Sequence, residues 1–264
     1  MISSTILCFI SRSFPKRSAS LSGLQGLISI QAAKMSSHKD EIENLRKPYN
    51  DPSNELKEAD LVKNPYKLFE EWFAIAKDHP DINEPNAMTI ATVKPNGRPA
   101  ARMVLLKDFG DAGFTFYTNY RSSKAQDLEA NPYAALVFFW EQLNRSVRIE
   151  GDVERVPAEV SDAYFSKRPI SSQLAAHCSI HQSGPLADKE TLNLRWKNLK
   201  EQYGEGPVPR PEFWGGYIVR PHTFEFWQGQ STRMHDRIVF SNQSPDDETW
   251  LAGDDSWVYR RLEP

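Results

Sequence analysis

Residues 87–107 read AMTIATVKPNGRPAARMVLLK, and the way this stretch folds sets the class of the whole chain. Ala87–Val93 and Ala100–Lys107 are runs of apolar and β-branched residues, and Pro95-Asn96-Gly97 between them is a strong turn signal. A hairpin is therefore predicted. Further along, Asp111 to Gly113 marks a turn before Phe114–Thr118, Ser122–Ala130 reads as a short helix, and Tyr133–Trp140 and Val147–Val156 add two strands. Five strands with tight connections in about 70 residues predict an antiparallel sheet or barrel, since a doubly wound sheet needs crossover helices between most strands.

Outward from this core the signals become helical. Asn64 suits an N-cap and Pro65 a first helical turn, and Leu68, Phe69, Trp72, Phe73 and Ala76 make an apolar stripe, so Pro65–Lys77 is predicted to be a packing helix. Helices are also expected from Pro157 to Lys167, over Ser171–His177 and over Asp188–Tyr203, followed by a linker at Gly204–Pro211. Strands return at Gly216–Arg220, Thr223–Trp227, Arg237–Phe240 and Trp257–Leu262. These helices interrupt one mostly β domain, placed at residues 61–264. The apolar run from Ala134 to Phe139 predicts a strand covered on both faces, by the chain's own helices or by a second subunit.

The remaining 60 residues read differently. Residues 1–34 hold Arg12, Lys16, Arg17 and Lys34, no acids and many serines, which suits a mitochondrial presequence or a disordered tail. The apolar run Thr5–Ile10 precedes the first basic residue, against the order of a secretory signal. Met35 offers a second start for a cytosolic form, so cytoplasm and mitochondrion are both expected locations. Residues 35–60 are polar and read as an N-terminal arm or lid. With only Cys8 and Cys178, a disulfide scaffold is excluded, and no apolar run is long enough to span a bilayer. Without the leader, 28 Lys and Arg face 35 Asp and Glu, a formal charge of −7, which disfavours general nucleic-acid binding. Any anion must be held by a local basic cluster.

Four segments supply such clusters. Arg102-Met103-Val104-Leu105-Leu106-Lys107 has a cation at each end; five apart on a regular strand, the two point to opposite sides. Tyr117–Lys124 places hydroxyls and two cations at a strand-to-helix junction, a credible phosphate cradle. Tyr164 and Arg168 share a helical face, with Ser172 just beyond a proline break. In Phe224–Arg237, an extended backbone after Gly229 would align Arg233, His235 and Arg237 on one face, a costly row unless it meets an anion or an electron-rich ligand. Each of the first three has a plain alternative as solvated strand-end charges, a capped helix, or an arginine lying over a tyrosine. His177, Cys178 and His181 lack a further ligand, so no metal is expected; phosphate-loop, dinucleotide and nucleophile-elbow motifs are absent from the sequence.

Taken together, these segments resemble the pyridoxamine/pyridoxine 5′-phosphate oxidase family from about Arg46 to Pro264. The most specific stretches are Glu225-Phe226-Trp227-Gln228 and Arg233-Met234-His235-Asp236-Arg237, supported by Phe116–Asn119, Phe213–Gly216 and the terminal Arg261–Pro264. The resemblance implies a mainly β, FMN-binding split β-barrel with peripheral helices. It implies a homodimer whose two active sites each use both subunits. The implied reaction oxidises pyridoxamine or pyridoxine 5′-phosphate to pyridoxal 5′-phosphate, with oxygen reduced to hydrogen peroxide. Implied FMN contacts are Arg102, Met103, Val104, Leu105, Leu106, Lys107, Tyr117, Thr118, Lys124, Gln182, Ser183, Trp214 and Arg237. Implied substrate contacts are Lys107, Tyr164, Arg168 and Ser172 around the phosphate, Arg233, Met234 and His235 at the ring, and Arg46 and Tyr49 from the arm. Arg233 and His235 are the implied catalytic pair.

Two positions depart from the family pattern. Ser122-Ser123-Lys124 stands where Ser-Arg-Lys is usual, with Arg121 displaced as a partial substitute, and Ser146 stands where a glutamine is usual. One lost charged hydrogen bond costs about 1.5–3 kcal/mol, which predicts weaker FMN binding. Two other classes stay open on sequence: a split-barrel flavin reductase, which would consume NADH, and a noncatalytic flavin or pyridoxal-phosphate carrier.

Overall fold

The computed structural model describes residues 42–45, 49, 55–204, 206–243 and 247–264. The chain divides into two units, residues 1–48 and Tyr49–Pro264. Of the first, residues 42–45 are described, where the Leu45 N–H donates to the Ile42 carbonyl at 3.2 Å. The expected leader and Arg46 lie outside the described residues. The second unit holds the sheet and its helices.

The opening hairpin forms with β1 at Ala87–Val93 and β2 at Pro99–Leu105, paired antiparallel from Ala87–Leu105 to Val93–Pro99. Gly97 sits at φ +79° in the turn, a conformation that favours glycine. Strands β3 (Asp108–Gly110) and β4 (Gly113–Asn119) make a second hairpin. After them come β5 (Tyr133–Trp140), β6 (Arg145–Arg155), β7 (Trp214–Gln228), β8 (Asp236–Ser241), β9 (Leu251–Ala252) and β10 (Val258–Arg261). The ten strands form one sheet, eight of them in the order β2-β1-β5-β6-β7-β8-β10-β9, with every pairing antiparallel. Strand β4 lies off this path, paired with β3 and β7.

Two expectations are corrected here. The chain is mixed α/β with an open sheet, not a mainly β split barrel: β2 and β9 end the strand order and do not pair with each other. The strands expected at Gly216–Arg220 and Thr223–Trp227 are one 15-residue strand, β7. On one side β7 pairs with β6; on the other it takes β4 through Trp214–Val219 and β8 through Thr223–Gln228. The sheet therefore forks instead of closing. Pro221 is accommodated within β7 because the ladder is irregular there, opposite Glu150 and Gly151. A Cβ on Gly151 would lie 2.0 Å from the Arg220 carbonyl oxygen, so only glycine fits that approach.

Helices α1 (Pro65–Asp78), α2 (Ser123–Ala130), α3 (Ala158–Lys167), α4 (Ile170–Cys178) and α5 (Lys189–Tyr203) accompany the sheet. The Asn64 side chain caps α1 by accepting from the Tyr66 and Lys67 amides. Leu68, Phe69, Trp72 and Ala76 bury the α1 stripe against the sheet, where the Phe69 ring meets Phe114 and Phe138 edge-on at 4.9 and 5.1 Å. Burying one such side chain stabilises by roughly 1.5–3 kcal/mol. A second cluster joins Phe165, Leu174 and Trp214 to Trp196 and Leu199 of α5, and tethers α3 and α4 beside β4 and β7. On β5, Ala134, Leu136, Phe138 and Trp140 are buried, while Phe139 on the opposite face is 61% exposed. Among the described residues, the chain fully covers one face of that strand only.

Candidate active site

The fork of β7 creates a recess between β4, the start of β7 and helices α2 to α4. Strand β2 and the residues after it bring Met103, Val104, Leu105 and Lys107 to its wall; β4 brings Tyr117 and Thr118; β7 begins with Trp214. The helices add Lys124, Tyr164 and Ser172, Arg168 follows the end of α3, and the segment after α4 adds Gln182. Together they line a cavity of about 600 Å³. Residues far apart in sequence meet here because β4 pairs antiparallel with β7, which sets Tyr117 beside Trp214.

Two cations in this wall are undercompensated. Ser122 caps α2 and so places Lys124 in its first turn. The buried ammonium donates to Thr118 Oγ1 at 3.0 Å, Gln182 Oε1 at 3.2 Å and Ser122 Oγ at 3.4 Å, all neutral acceptors. Burial, and then the nearby charge of Arg102, push its pKa down to about 8. Arg168 caps the end of α3, and Gln173 fixes its carbonyl through a 2.8 Å hydrogen bond. Its guanidinium lies 4.5 Å over the Trp214 ring, while Nη1 is buried with no hydrogen-bond partner among the described residues. Burial also holds its pKa below the ordinary value. An uncompensated donor of this kind is costly unless a ligand accepts from it.

The apolar wall is an aromatic stack. Tyr117 and Tyr164 are nearly parallel with centroids 4.0 Å apart, and Trp214 continues the stack 5.4 Å from Tyr117. Burial raises the pKa of both tyrosines, so they remain neutral donors at physiological pH. A flat apolar wall with cations at its ends suits a planar ring carrying phosphate.

Other expected site residues lie elsewhere. Arg102 is turned from the cavity: it donates to Thr92 Oγ1 at 2.6 Å and the Ala100 carbonyl at 3.1 Å, and pairs with buried Asp127 at 3.5 Å. Leu106 is in the core, and Ser183, at φ +72°, does not line the cavity. Arg121, the displaced arginine, stacks 4.8 Å over Phe213 outside the lining. The extended row of Arg233, His235 and Arg237 does not form. Arg233 sits in a turn at φ +63°, its N–H donating to the Gln230 carbonyl, and Met234 is exposed. His235 packs against Trp227 and Tyr49 at 5.0 and 5.7 Å. Arg237 opens onto a second pocket of about 480 Å³ with Phe139, Ser146 and Trp227, where Glu225 holds it at 2.8 Å.

Sequence reasoning gave three participants no role of their own. Asn119 lines the cavity and ties β4 to the segment after α4 by donating to the Ser179 carbonyl. Asp127 lies three residues after Lys124, on the helix face that meets β1, where it accepts from Thr92 Oγ1 at 2.6 Å and pairs with Arg102, a partner no local spacing announced. Asp236 stands within the Arg233–Arg237 motif, yet nothing local distinguishes it from a surface acid. Among the described residues no group of three His, Cys, Asp or Glu is placed to hold a metal ion, and His177 is bonded to the Pro209 carbonyl at 2.7 Å.

Two family models match the chain: pyridoxamine 5′-phosphate oxidase over residues 77–203, and the pyridoxine 5′-phosphate oxidase C-terminal dimerisation region over residues 214–264. The pyridoxine-5′-phosphate oxidase of Bos taurus is 47% identical over 226 residues, covering 83% of this chain and 86% of that protein. The pyridoxine/pyridoxamine 5′-phosphate oxidase of Gloeothece citriformis is 48% identical over 223 residues, 84% of this chain and 98% of its own length. Among solved structures, PhzG from Burkholderia lata, in complex with tetrahydrophenazine-1-carboxylic acid, aligns with a TM-score of 0.70 at 26% identity, over 80% of this chain and 98% of that one. An FMN-binding protein related to pyridoxamine 5′-phosphate oxidase from Nostoc punctiforme aligns at a TM-score of 0.58 and 14% identity, over 77% and 100% of the two chains, a likeness of fold alone.

Proposed function

The chain belongs to the pyridoxamine 5′-phosphate oxidase family, and from that premise we propose which of its residues perform the family's reaction. It is an FMN-dependent oxidase of pyridoxine and pyridoxamine 5′-phosphates that produces pyridoxal 5′-phosphate. When bound, FMN supplies the two-electron chemistry at the 4′ carbon, with oxygen as the final oxidant. The residues present fit such a cofactor: Lys124 is buried among neutral acceptors and has charge to spare for a phosphate.

The orphaned Nη1 of Arg168 carries the assignment of the substrate end. Arg168, Tyr164, Ser172 and Lys107 line the same cavity and are proposed to clamp the vitamer phosphate, with Lys124, Thr118 and Gln182 at the cofactor phosphate. Clamping one end holds the 4′ carbon in a reactive position, which is how binding energy becomes rate.

The matched dimerisation region supports a homodimer. Met103 is 63% exposed on β2, and the pairing register sets it in a row with Thr89 and Val137 across β1 and β5, beside exposed Phe139. A second copy laid on this face would bury it. Arg233 and His235 lie outside the lining of their own chain's cavity, so they are proposed to serve the partner's, Arg233 stabilising developing charge and His235 orienting the reacting end.

Anaerobic mixing of the FMN-loaded protein with pyridoxamine 5′-phosphate tests the reading. The yellow absorbance bleaches and returns in air, with pyridoxal 5′-phosphate formed. A flavin that stays oxidised under these conditions refutes it.

A further inference from the structure

One carboxylate gathers three distant parts of the chain beneath the Arg233–His235 turn. Asp236 is 5% exposed at the start of β8. Its Oδ2 accepts from Gln230 Nε2 at 2.6 Å and from the Leu56 N–H at 3.2 Å, while Oδ1 accepts from Arg261 of β10. Arg261 also donates to Glu58 and to the Leu56 carbonyl, so the segment at 56–58, the C-terminal strand and the turn meet at one point. Buried carboxylates are retained only when their lone pairs are filled, and here each oxygen is.

The consequence reaches the histidine through Gln230. The side chain of Gln230 is held by Asp236, and its own backbone N–H donates to His235 Nδ1 at 3.0 Å. An amide N–H only donates, so Nδ1 must be the acceptor and the proton of the neutral ring sits on Nε2. The Gln230 carbonyl meanwhile accepts from the Arg233 N–H at 3.1 Å, which closes the turn that holds Arg233 at φ +63°. A single residue, Gln230, thus sets both the arginine backbone and the imidazole tautomer.

We propose that Asp236 and Gln230 are positioning residues for the oxidation: the carboxylate locks Gln230, and Gln230 keeps His235 in the Nε2–H form, with that N–H donating to the ligand. This rests on the reading that His235 acts at the substrate. Neither residue need touch substrate or flavin.

The test uses FMN-loaded, [15N]histidine-labelled protein, with His235→Ala assigning its signals among the six histidines. The wild type shows His235 protonated on Nε2. Asp236→Ala shows a mixture of tautomers, with kcat lower by about tenfold and both KM and the FMN dissociation constant within about twofold. Asp236→Asn keeps the side-chain volume but cannot accept from all three donors, so it shows the same change where the alanine variant fails to fold. A wild-type His235 carrying its proton on Nδ1, or wild-type kcat and tautomer in the folded Asp236 variants, overturns the proposal. Undiminished kcat in His235→Ala would instead overturn the role of His235 itself.

Discussion

Two arginines on this chain live in opposite circumstances. Arg237, on β8, is held by Glu225 at 2.8 Å, and the same carboxylate also takes a hydrogen bond from Arg148 on β6. Arg168, at the end of α3, meets no carboxylate among the described residues; its guanidinium lies over the Trp214 ring, with one buried donor nitrogen unfilled. A charge with its counter-ion built in is a strut of the sheet. A charge left wanting one marks where an anion is to be received, because the unfilled donor costs stability that only a ligand restores.

The contrast breaks most visibly at Arg168. Removing it takes away charged hydrogen bonds worth about 1.5–3 kcal/mol, so Arg168→Ala raises KM for pyridoxamine 5′-phosphate roughly tenfold to a hundredfold while kcat changes less. Steady-state kinetics against phosphorylated and unphosphorylated vitamers measures this, and wild-type discrimination in the variant would remove Arg168 from the clamp. Next in size is an effect of pH on the cofactor. Burial, and then the charge of Arg102, hold the Lys124 pKa down at about 8, and a bound phosphate favours its ammonium form. Binding therefore takes up a proton once the pH exceeds about 8, and FMN affinity falls by up to about tenfold per pH unit above that point. Fluorescence titration from pH 7 to 10 decides it; a flat affinity across the range excludes Lys124 as the phosphate's partner.

The smallest effect is expected at the strut. Burial works to raise the pKa of Glu225, but hydrogen bonds from Arg148 and Arg237 outweigh it and leave the group below the ordinary carboxylate value. Its stabilising contribution is present above the unfolded-state pKa and is lost as pH falls through the lower folded value. Because both arginines are partly exposed, Glu225→Gln costs about 1 kcal/mol at neutral pH, and the difference in Tm from wild type shrinks in acid. A Tm gap that persists unchanged to low pH would show that packing, not charge, makes Glu225 matter.

Legibility followed distance along the chain. The hairpin of β1 and β2 and the cap of α1 were readable because a proline, an asparagine and a glycine act on backbone within a few residues. Tyr164 and Arg168 do line one cavity, but Arg168 reaches it from the extended cap that ends α3 and not through helical spacing. The expected barrel and the row of Arg233, His235 and Arg237 failed where a local pattern was extended to a global one. A turn at Arg233 breaks the alternation, and the fork of β7 leaves the strand order open.

By itself, then, the sequence determined where most strands and helices start and stop, which residues carry charge, and which family's motifs the chain bears. Only the tertiary structure decided that Arg102 turns to Asp127, that Arg168 keeps a donor unfilled by any described residue, and that Asp236 meets Leu56 from 180 positions away. Backbone preferences are settled by near neighbours, whereas a buried charge is worth whatever the rest of the fold brings beside it, and that is fixed only once the sheet has assembled.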